Sequence, residues 1–342
     1  MSRHRLGDVL RGPVVVAPMA GGPSTPTLVA AAAAAGALGF LAAGYKSAER
    51  MAGEIAAVRG ATAEPFGVNV FVPGEPTAEP AALERYLSSL VGDADAVGAA
   101  LGPAIWDDDG WPAKLAVLVA DPVPVVTFTF GCPDRDVLSA LQSAGSTVGV
   151  TVTDAGEARL ASAAGPDFLC VQGSEAGAHR GTFANGPLGG GGDLLVLLAE
   201  VATSTDRPLL AAGGLMTSKD VAAARAAGAM AAQCGTAFLR SPESGAHPRH
   251  KEALASGRYT CTEVTRAFSG RPARGLVNGF LAMHRDAPAA YPEVNNATRP
   301  FRAAASAAGD VERMSLWAGT GFARATDRPV GEIVEALAAG PD

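Results

Sequence analysis

The chain has 342 residues, 48% of them hydrophobic, and a formal net charge of −7 at pH 7. This length accommodates one α/β domain with additions, and the apolar fraction is enough for a large core. The mildly acidic balance, without a Lys/Arg block, excludes the electrostatic footprint of a protein that binds nucleic acid or an anionic membrane.

Targeting signals and paired cysteines are not recognisable in the sequence. The basic start, residues 1–5, is not followed by an apolar stretch of signal-peptide length, and the alanine-rich run 28–43 is too weakly hydrophobic for a bilayer. The four cysteines fall singly, which argues against a zinc site or a disulfide framework. We expect a cytoplasmic protein, monomeric or homodimeric, with no metal ion.

Short apolar runs alternate with Ala/Leu-rich helical stretches as far as Thr236. Several runs are apolar throughout, as is typical of parallel strands buried on both faces. The runs predict strands at 14–17, 39–42, 67–71, 123–128, 147–152, 168–171, 208–212 and 230–234. The stretches between them predict helices at 26–35, 48–59, 134–144, 155–164, 193–203 and 218–227.

Eight strand–helix alternations predict either a (β/α)8 barrel or a doubly wound sheet. The count of eight, and the absence of a GxGxxG motif after the first strand, favour the TIM barrel. Residues 77–106 look like a longer helical excursion. The tail predicts a helical cap beside the barrel mouth, with a helix near 302–308 and a last segment, 330–339, packing back on the barrel. We therefore predict a cofactor-binding (β/α)8 barrel at 1–245 and a helical substrate or cap region at 246–342.

Reacting groups of such barrels lie at the carboxyl ends of the strands. Met19 follows the first strand in a turn of small residues and prolines, which lets the main chain approach a flat ligand closely. Asn69 interrupts an apolar strand, and a buried amide must be hydrogen-bonded, so it either braces the backbone or binds a ligand.

The loop after the sixth strand presents one histidine among small residues. Gln172 leaves the strand, and Gly177, Ala178, His179 and Arg180 follow it. An unperturbed histidine has a pKa near 6.5, which suits proton transfer at neutral pH. A lone histidine is more often structural, but its place at the rim of the barrel favours a catalytic role.

Two glycine turns end the seventh and eighth strands. Gly213 and Gly214 precede a helix, and the run 233–236 (Gln-Cys-Gly-Thr) follows the last strand. Glycines beside unpaired N–H groups at a helix start form an anion site, and barrel enzymes commonly hold phosphate there.

These motifs resemble, in the same order, those of the nitronate monooxygenase family, formerly called 2-nitropropane dioxygenases. The resemblance covers the turn 16–19, the Asn69 strand, the loop 173–183 and the turns 212–214 and 233–236. In the tail, the segment 265–275 (TRAFSGRPARG) and Trp317-Ala318-Gly319 also resemble the family. The matches therefore run along nearly the whole chain, and the histidine loop and GRPARG are the more specific ones.

The resemblance implies an FMN enzyme that oxidises alkyl nitronates, or nitroalkanes, with O2 to a carbonyl compound and nitrite. His179 would be the catalytic residue, taking the α-proton of a nitroalkane when neutral or holding the nitronate oxygens when protonated. Gly214, Gly235 and Thr236 would hold the phosphate. The predicted cofactor contacts are Met19, Asn69, Gln172, Gly177, Gly213, Gly214, Gln233, Cys234, Gly235 and Thr236, and the predicted substrate contacts are Ala178, Arg180 and Trp317.

Two departures and three alternatives remain open at this point. Ala178 stands where the family usually has glycine, and Thr320 stands where a glutamine often follows Trp-Ala-Gly. The alternatives are an FMN-dependent NAD(P)H reductase of the enoyl-acyl-carrier-protein or quinone type, a specialised biosynthetic flavin enzyme, and a flavin-binding subunit without turnover. Arg180, Arg271 and Arg274 either pair at the surface or bind substrate.

Overall fold

The computed structural model describes residues 6–77, 79–186, 188 and 191–340. This part of the chain forms eleven strands and fourteen α-helices. The strands are β1 (Val14–Val16), β2 (Leu38–Ala42), β3 (Phe66–Phe71), β4 (Val125–Thr129), β5 (Thr147–Val152), β6 (Phe168–Gln172), β7 (Ala178–His179), β8 (Leu209–Ala212), β9 (Ala231–Cys234), β10 (Thr262–Thr265) and β11 (Ala273–Leu276).

The helices surround the barrel or form the cap. They are α1 (Leu6–Val9), α2 (Pro26–Ala34), α3 (Ala48–Ala61), α4 (Pro80–Ser89), α5 (Val91–Ala96), α6 (Trp111–Ala120), α7 (Arg135–Ala144), α8 (Ala155–Ala164), α9 (Leu194–Ser204), α10 (Ser218–Ala226), α11 (Pro248–Ala255), α12 (Gly279–Met283), α13 (Glu293–Ala308) and α14 (Val330–Ala338). None of the helices described is long and apolar enough to cross a membrane.

Eight parallel strands close into a barrel in the order β1-β2-β3-β4-β5-β6-β8-β9, with β9 returning to β1. The predicted (β/α)8 barrel is therefore confirmed, and each of its strands overlaps a predicted one. Phe40 and Phe168 fill the interior because the neighbouring strands offer Gly67 and Gly149, where any added Cβ would overlap those rings. The phenyl rings close the barrel interior below the carboxyl ends of the strands.

One helix of the barrel was not predicted. Helix α6 begins after Gly110, which has a left-handed φ of 68°, and its second residue is Pro112. Proline within the first turn of a helix loses no intrahelical hydrogen bond. The apolar run that follows Lys114 lacks a marked polar face, so we read no helix between the excursion 77–106 and the fourth strand.

The tail is only partly the helical cap that the sequence predicted. Helices α11, α12 and α13 belong to it, but β10 and β11 form an antiparallel pair to which β7 of the histidine loop is added. Ala273 pairs with His179, and Arg274 pairs with Ala178. The tail therefore fixes the histidine through a small sheet.

A second apolar core lies beside the barrel. It joins Tyr86 and Leu90, near α4 and α5, to Phe268, Phe280 and Phe301 of the tail. The segment between β3 and β4 thus packs against the tail. The predicted domain boundary at residue 245 therefore falls between the two segments of the chain that form this core. Helix α14 packs its buried face into the outer core of the barrel, beside α2 and α10.

Candidate active site

A cavity of about 490 Å³ opens at the carboxyl ends of the barrel strands. The phenyl rings of the barrel core lie below it, and α11 and α13 of the tail contribute to its upper wall. All but one of the predicted site residues line it. They are Met19, Asn69, Gln172, Gly177, Ala178, His179, Gly213, Gly214, Gln233, Cys234, Gly235, Thr236 and Trp317.

Two of the three predicted amides, Gln172 and Asn69, brace the walls of this cavity. Gln172 Nε2 donates to the carbonyl of His179 (3.1 Å), and Gln172 Oε1 accepts from the Gly181 N–H (2.8 Å). Asn69 Nδ2 donates to the hydroxyls of Thr127 and Thr129, both at 3.0 Å. Bracing, one of the two roles left open for Asn69, is therefore present, and cofactor contacts by both amides stay a prediction.

The His179 ring lies in an aromatic enclosure. Its centroid is 5.7 Å from the rings of Phe130 and Trp317 and 5.8 Å from that of Tyr291. Its Nε2 is 2.8 Å from Ser269 Oγ, the one polar partner of the ring that the described structure provides. Sequence reasoning missed Phe130, Tyr291 and Ser269.

The pKa of His179 is lowered from 6.5 to about 3 by burial and by the positive charges of Arg271 and Arg302. The imidazole is therefore neutral at pH 7 and keeps a basic nitrogen. We had left open a protonated His179 that holds the nitronate oxygens. Before an anion binds, the protonated form of His179 is disfavoured, because burial and the guanidinium groups of Arg271 and Arg302 oppose a positive charge on the ring.

The tautomer of this ring is coupled to the position of the Ser269 hydroxyl proton. The Ser269 Oγ is 3.2 Å from the carbonyl of Arg271 and 3.3 Å from the Arg271 N–H, in addition to the imidazole. If the single hydroxyl proton goes to the carbonyl, Nε2 of His179 donates and Nδ1 is the free base. If it goes to Nε2, the proton of the imidazole lies on Nδ1. Only the first arrangement leaves a basic nitrogen unpaired.

Positive charge enters the cavity from helix α13. Arg302 lines the cavity, and its guanidinium donates to the Asn295 carbonyl (3.0 Å) and Oδ1 (2.8 Å). Burial lowers the pKa of Arg302 to about 10, so it stays charged at neutral pH. No carboxylate lies within ion-pair distance of Arg302 or Arg299 in the part of the chain that the structure describes. Residues 295, 299 and 302 are spaced so that a helix would place their side chains on one face. We predicted only a short helix near 302–308, so this face was not recognised.

The opposite end of the cavity is formed by the glycine turns. Gly213 and Gly214 have φ of 126° and 69°, which favours glycine. An added Cβ at Gly235 would meet no heavy atom closer than 3.5 Å, so the chain itself does not require glycine there. Thr236 Oγ1 accepts from the Gly319 N–H (2.9 Å), which leaves its proton available to a ligand.

The helix start next to these turns is already capped. Thr217 and Asp220 form a capping box at the start of α10, and Asp220 Oδ2 accepts from the N–H groups of Met216 and Thr217, both at 2.9 Å. We expected unpaired N–H groups of this helix to form the anion site. The capping leaves the N–H groups of Ser218 and Lys219 in this first turn, and those of Gly214, Gly235 and Thr236, without a partner among the described hydrogen bonds, so the anion site stays a prediction.

Comparison with known proteins places the chain in a family. The family model described as "Nitronate monooxygenase" matches residues 3–340. The nitronate monooxygenase of Pseudomonas aeruginosa is 38% identical, over 96% of this chain and 95% of that protein. That of Paraburkholderia phytofirmans is 37% identical, over 95% and 91%. The chain belongs to the nitronate monooxygenase family.

Solved structures agree with this assignment. The nitroalkane oxidase from Streptomyces ansochromogenes superposes with a TM-score of 0.95 and 51% identity, covering 97% of this chain and 96% of that one. FabK from Thermotoga maritima reaches a TM-score of 0.73 at 29% identity, covering 98% and 95%. The resemblance inferred from the sequence motifs is thus confirmed for both family and fold.

Arg180 is the predicted substrate residue that the structure places elsewhere. Its side chain is buried behind the histidine loop, where the guanidinium donates to the carbonyls of Gly173 and Gln172. These bonds hold the start of the loop against its end. Arg180 does not line the large cavity, and the expectation that it contacts substrate is corrected accordingly.

Arg271 and Arg274 of the family's GRPARG segment neither pair at the surface nor line the cavity. Arg271 is buried, stacks 4.0 Å over the Phe130 ring and donates to the carbonyl of Thr182. Arg274 donates to the carbonyls of Ser174 (3.0 Å) and Thr262 (3.1 Å). Both arginines therefore tie the tail to the histidine loop.

The glycine positions of the histidine loop have separate physical reasons. A Cβ at Gly177 would lie 2.5 Å from the backbone of Ala318 and Gly319, so glycine lets the loop pack on the Trp-Ala-Gly segment. Ala178 adopts a left-handed φ of 61°. This backbone conformation favours glycine, so the methyl group makes the loop strained rather than only tighter.

Proposed function

We propose that this protein oxidises alkyl nitronates with O2 to a carbonyl compound and nitrite, using FMN bound in the large cavity. One observation carries the proposal: a neutral His179 and a charged Arg302, which has no carboxylate partner among the described residues, line the same cavity. Such a site suits a small anion that has already lost its α-proton. The relatives named nitronate monooxygenase and nitroalkane oxidase support this reaction class.

The residues present fit FMN. Gly235 leaves space that a Cβ would fill beside Ala17 and Met19, and Thr236 keeps a hydroxyl proton to donate. Gly214, Gly235 and Thr236 would hold the phosphate, while Met19, Asn69, Gln172 and Gln233 would contact the remainder. Bound FMN would supply the electron acceptor and the route of electrons to O2. The single anion cradle, without a dinucleotide fingerprint, favours FMN over FAD.

The chain's own residues have distinct tasks in this proposal. Arg302 attracts the nitronate's negative charge into the cavity, because no carboxylate in the described ranges of the chain pairs with it. Phe130, Tyr291 and Trp317 exclude water around His179. The neutral imidazole accepts the α-proton when a nitroalkane enters instead. With a pKa of about 3 it is a weak base, so we expect nitronates to react faster than nitroalkanes.

An NAD(P)H-dependent reductase on the same scaffold is the nearest competing function. The lower similarity of FabK from Thermotoga maritima, at a TM-score of 0.73 against 0.95 for the nitroalkane oxidase, favours the oxidation of nitro compounds. The two functions differ in what reduces the flavin.

The test is an absorbance spectrum of the purified protein followed by anaerobic additions in separate cuvettes. We expect a flavin spectrum, rapid bleaching or a radical spectrum with an alkyl nitronate, and no rapid change with NADPH. Rapid bleaching by NADPH with no response to nitronate would assign the protein to the reductases. No response to either would favour a flavin-binding subunit without turnover.

The phosphate cradle is tested by Gly235→Asp. The new carboxylate would enter the space next to Thr236 and repel a phosphate, so the purified variant should contain little FMN. Gly53→Asp, on an exposed turn of α3 with open space around it, is the matched control and should keep the wild-type FMN content. Full occupancy in the Gly235 variant would place the phosphate elsewhere.

A further inference from the structure

Tyr45 reaches the cavity from a strained position. It follows β2 with a φ of 66°, a left-handed conformation that is uncommon for residues other than glycine. Its side chain lines the cavity, and its hydroxyl is 3.4 Å from that of Tyr291, which packs on the His179 ring. Some contact must stabilise this backbone conformation, because an L residue does not adopt it freely.

The contact comes from a carboxylate far away in sequence. Asp109 Oδ1 accepts the backbone N–H of Tyr45 at 2.9 Å. Asp109 Oδ2 lies 2.7 Å from Lys114 Nζ, whose side chain is fully buried in the first turns of α6. A buried ammonium requires a paired charge, so the lysine holds the carboxylate in one place.

The same turn also reaches the arginine face of α13. Asp107 Oδ1 accepts the N–H of Asp109 (2.9 Å), and Asp107 Oδ2 accepts from Asn296 Nδ2 (2.6 Å). Asn296 Oδ1 accepts in turn from Arg299 (3.1 Å), which lies over the Tyr45 ring at 6.0 Å. The 107–109 turn therefore contacts the cavity residue Tyr45 directly and reaches a second cavity residue, Arg299, through Asn296.

We propose that Asp109 is a positioning residue: anchored by the buried Lys114, it holds the Tyr45 backbone left-handed and so places the Tyr45 phenol beside Tyr291 on the substrate side of the cavity. That this is the substrate side rests on the proposed function. The positioning itself does not, because it concerns only the conformation of Tyr45.

Two double variants separate the hydrogen bond from the ion pair. Lys114→Met with Asp109→Asn removes both charges but keeps an acceptor for the Tyr45 N–H. Lys114→Met with Asp109→Gly removes both charges and the acceptor. Asparagine and glycine both tolerate the φ of 55° at residue 109, so backbone strain does not distinguish the variants.

Turnover of a pre-formed alkyl nitronate gives the first readout. We expect the asparagine variant to keep a KM within about twofold of wild type. The glycine variant should raise KM by about 3–10-fold, the usual worth of one hydrogen bond, with kcat and FMN content nearly unchanged. Asp93→Asn is the control, because that buried carboxylate pairs with His284 and Arg313 outside the cavity. An equal KM in the two double variants would overturn the proposal.

The second readout does not depend on turnover. The chain has four tyrosines, so 3-fluorotyrosine labelling with a Tyr45→Phe reference assigns the Tyr45 fluorine resonance. The Tyr45 fluorine resonance should be single and unshifted in the double variant with Asp109→Asn. It should be shifted or broadened in the double variant with Asp109→Gly. An enzyme inactive on nitronates would refute the proposed function, whereas an unchanged resonance in the glycine variant would refute the role of Asp109. If the glycine variant does not fold, Lys114→Met alone should broaden the Tyr45 fluorine resonance. An unchanged resonance in that variant would contradict the role of Lys114 as the anchor of Asp109.

Discussion

At the scale of single residues, the site depends on side chains held in states that they would not adopt in water. His179 is kept neutral by burial and by two arginines, and the position of the Ser269 hydroxyl proton decides which of its nitrogens is basic. Ala178, directly before it, is held in a left-handed conformation by the pairing of β7 with β11. The chemistry therefore follows from the surroundings of the histidine more than from its presence.

Ala178→Gly should stabilise the protein. Glycine adopts a φ of 61° without the Cβ clash that alanine meets, so the free energy of unfolding should rise by about 1 kcal/mol. Thermal unfolding measures it. Ala52→Gly, the same change inside helix α3, is the control and should lower stability by a similar amount. A loss of stability in both variants would mean that Ala178 is not strained.

Ser269→Ala should slow the reaction that needs a base. In the arrangement in which Ser269 donates to the Arg271 carbonyl, its oxygen accepts from Nε2 and Nδ1 is the base. Without the hydroxyl that tautomer loses its partner, and turnover of a neutral nitroalkane should fall by roughly tenfold, the worth of one hydrogen bond. Turnover of a pre-formed nitronate should change little. Ser146→Ala removes an equally buried serine hydroxyl, at the start of β5, and should leave both rates unchanged. Equal losses on the two substrates would assign Ser269 to packing alone.

At the scale of secondary-structure elements, the tail completes the site. Strand β11 fixes the histidine loop, α13 brings Arg302 to the cavity, and the bridge from Gly275 to Trp317 holds the indole beside His179. Local pattern predicted the barrel strands because each is an apolar run buried on both faces. It did not predict the tail sheet, whose third strand is only two residues long and forms only when the loop and tail meet.

Trp317→Ala should raise KM for nitronate more than it changes the FMN content. The indole lines the cavity and packs against the rings of His179 and Phe268, whereas the glycine turns would hold the phosphate. Steady-state kinetics and the flavin-to-protein absorbance ratio measure the two effects. Trp106→Ala, at a 40% exposed tryptophan outside the large cavity, is the control. Loss of flavin with an unchanged KM would place Trp317 in the cofactor site.

At the scale of the whole molecule, the predictable and unpredictable parts of the site differ in sequence separation. His179, Gly214 and Gly235 could be named because each follows a recognisable strand. Ser269 is 90 residues from His179, and Asp109 is 64 residues from Tyr45, so no local pattern joins either pair. Such pairs depend on how the excursion and the tail pack over the barrel mouth. Their packing also gives the cavity its positive charge in a chain that is acidic overall.

The comparison of His179→Asn with wild type on two substrates tests the central claim most directly. Asparagine keeps a polar group of similar size but accepts no proton between pH 6 and 8, where His179 is neutral. We predict that the variant keeps its FMN and loses turnover of a neutral nitroalkane by about 10²–10⁴-fold, while a pre-formed nitronate is affected much less. Equal losses on both would show that His179 binds the anion or orients it. Unchanged rates on both would remove His179 from the reaction and contradict the account.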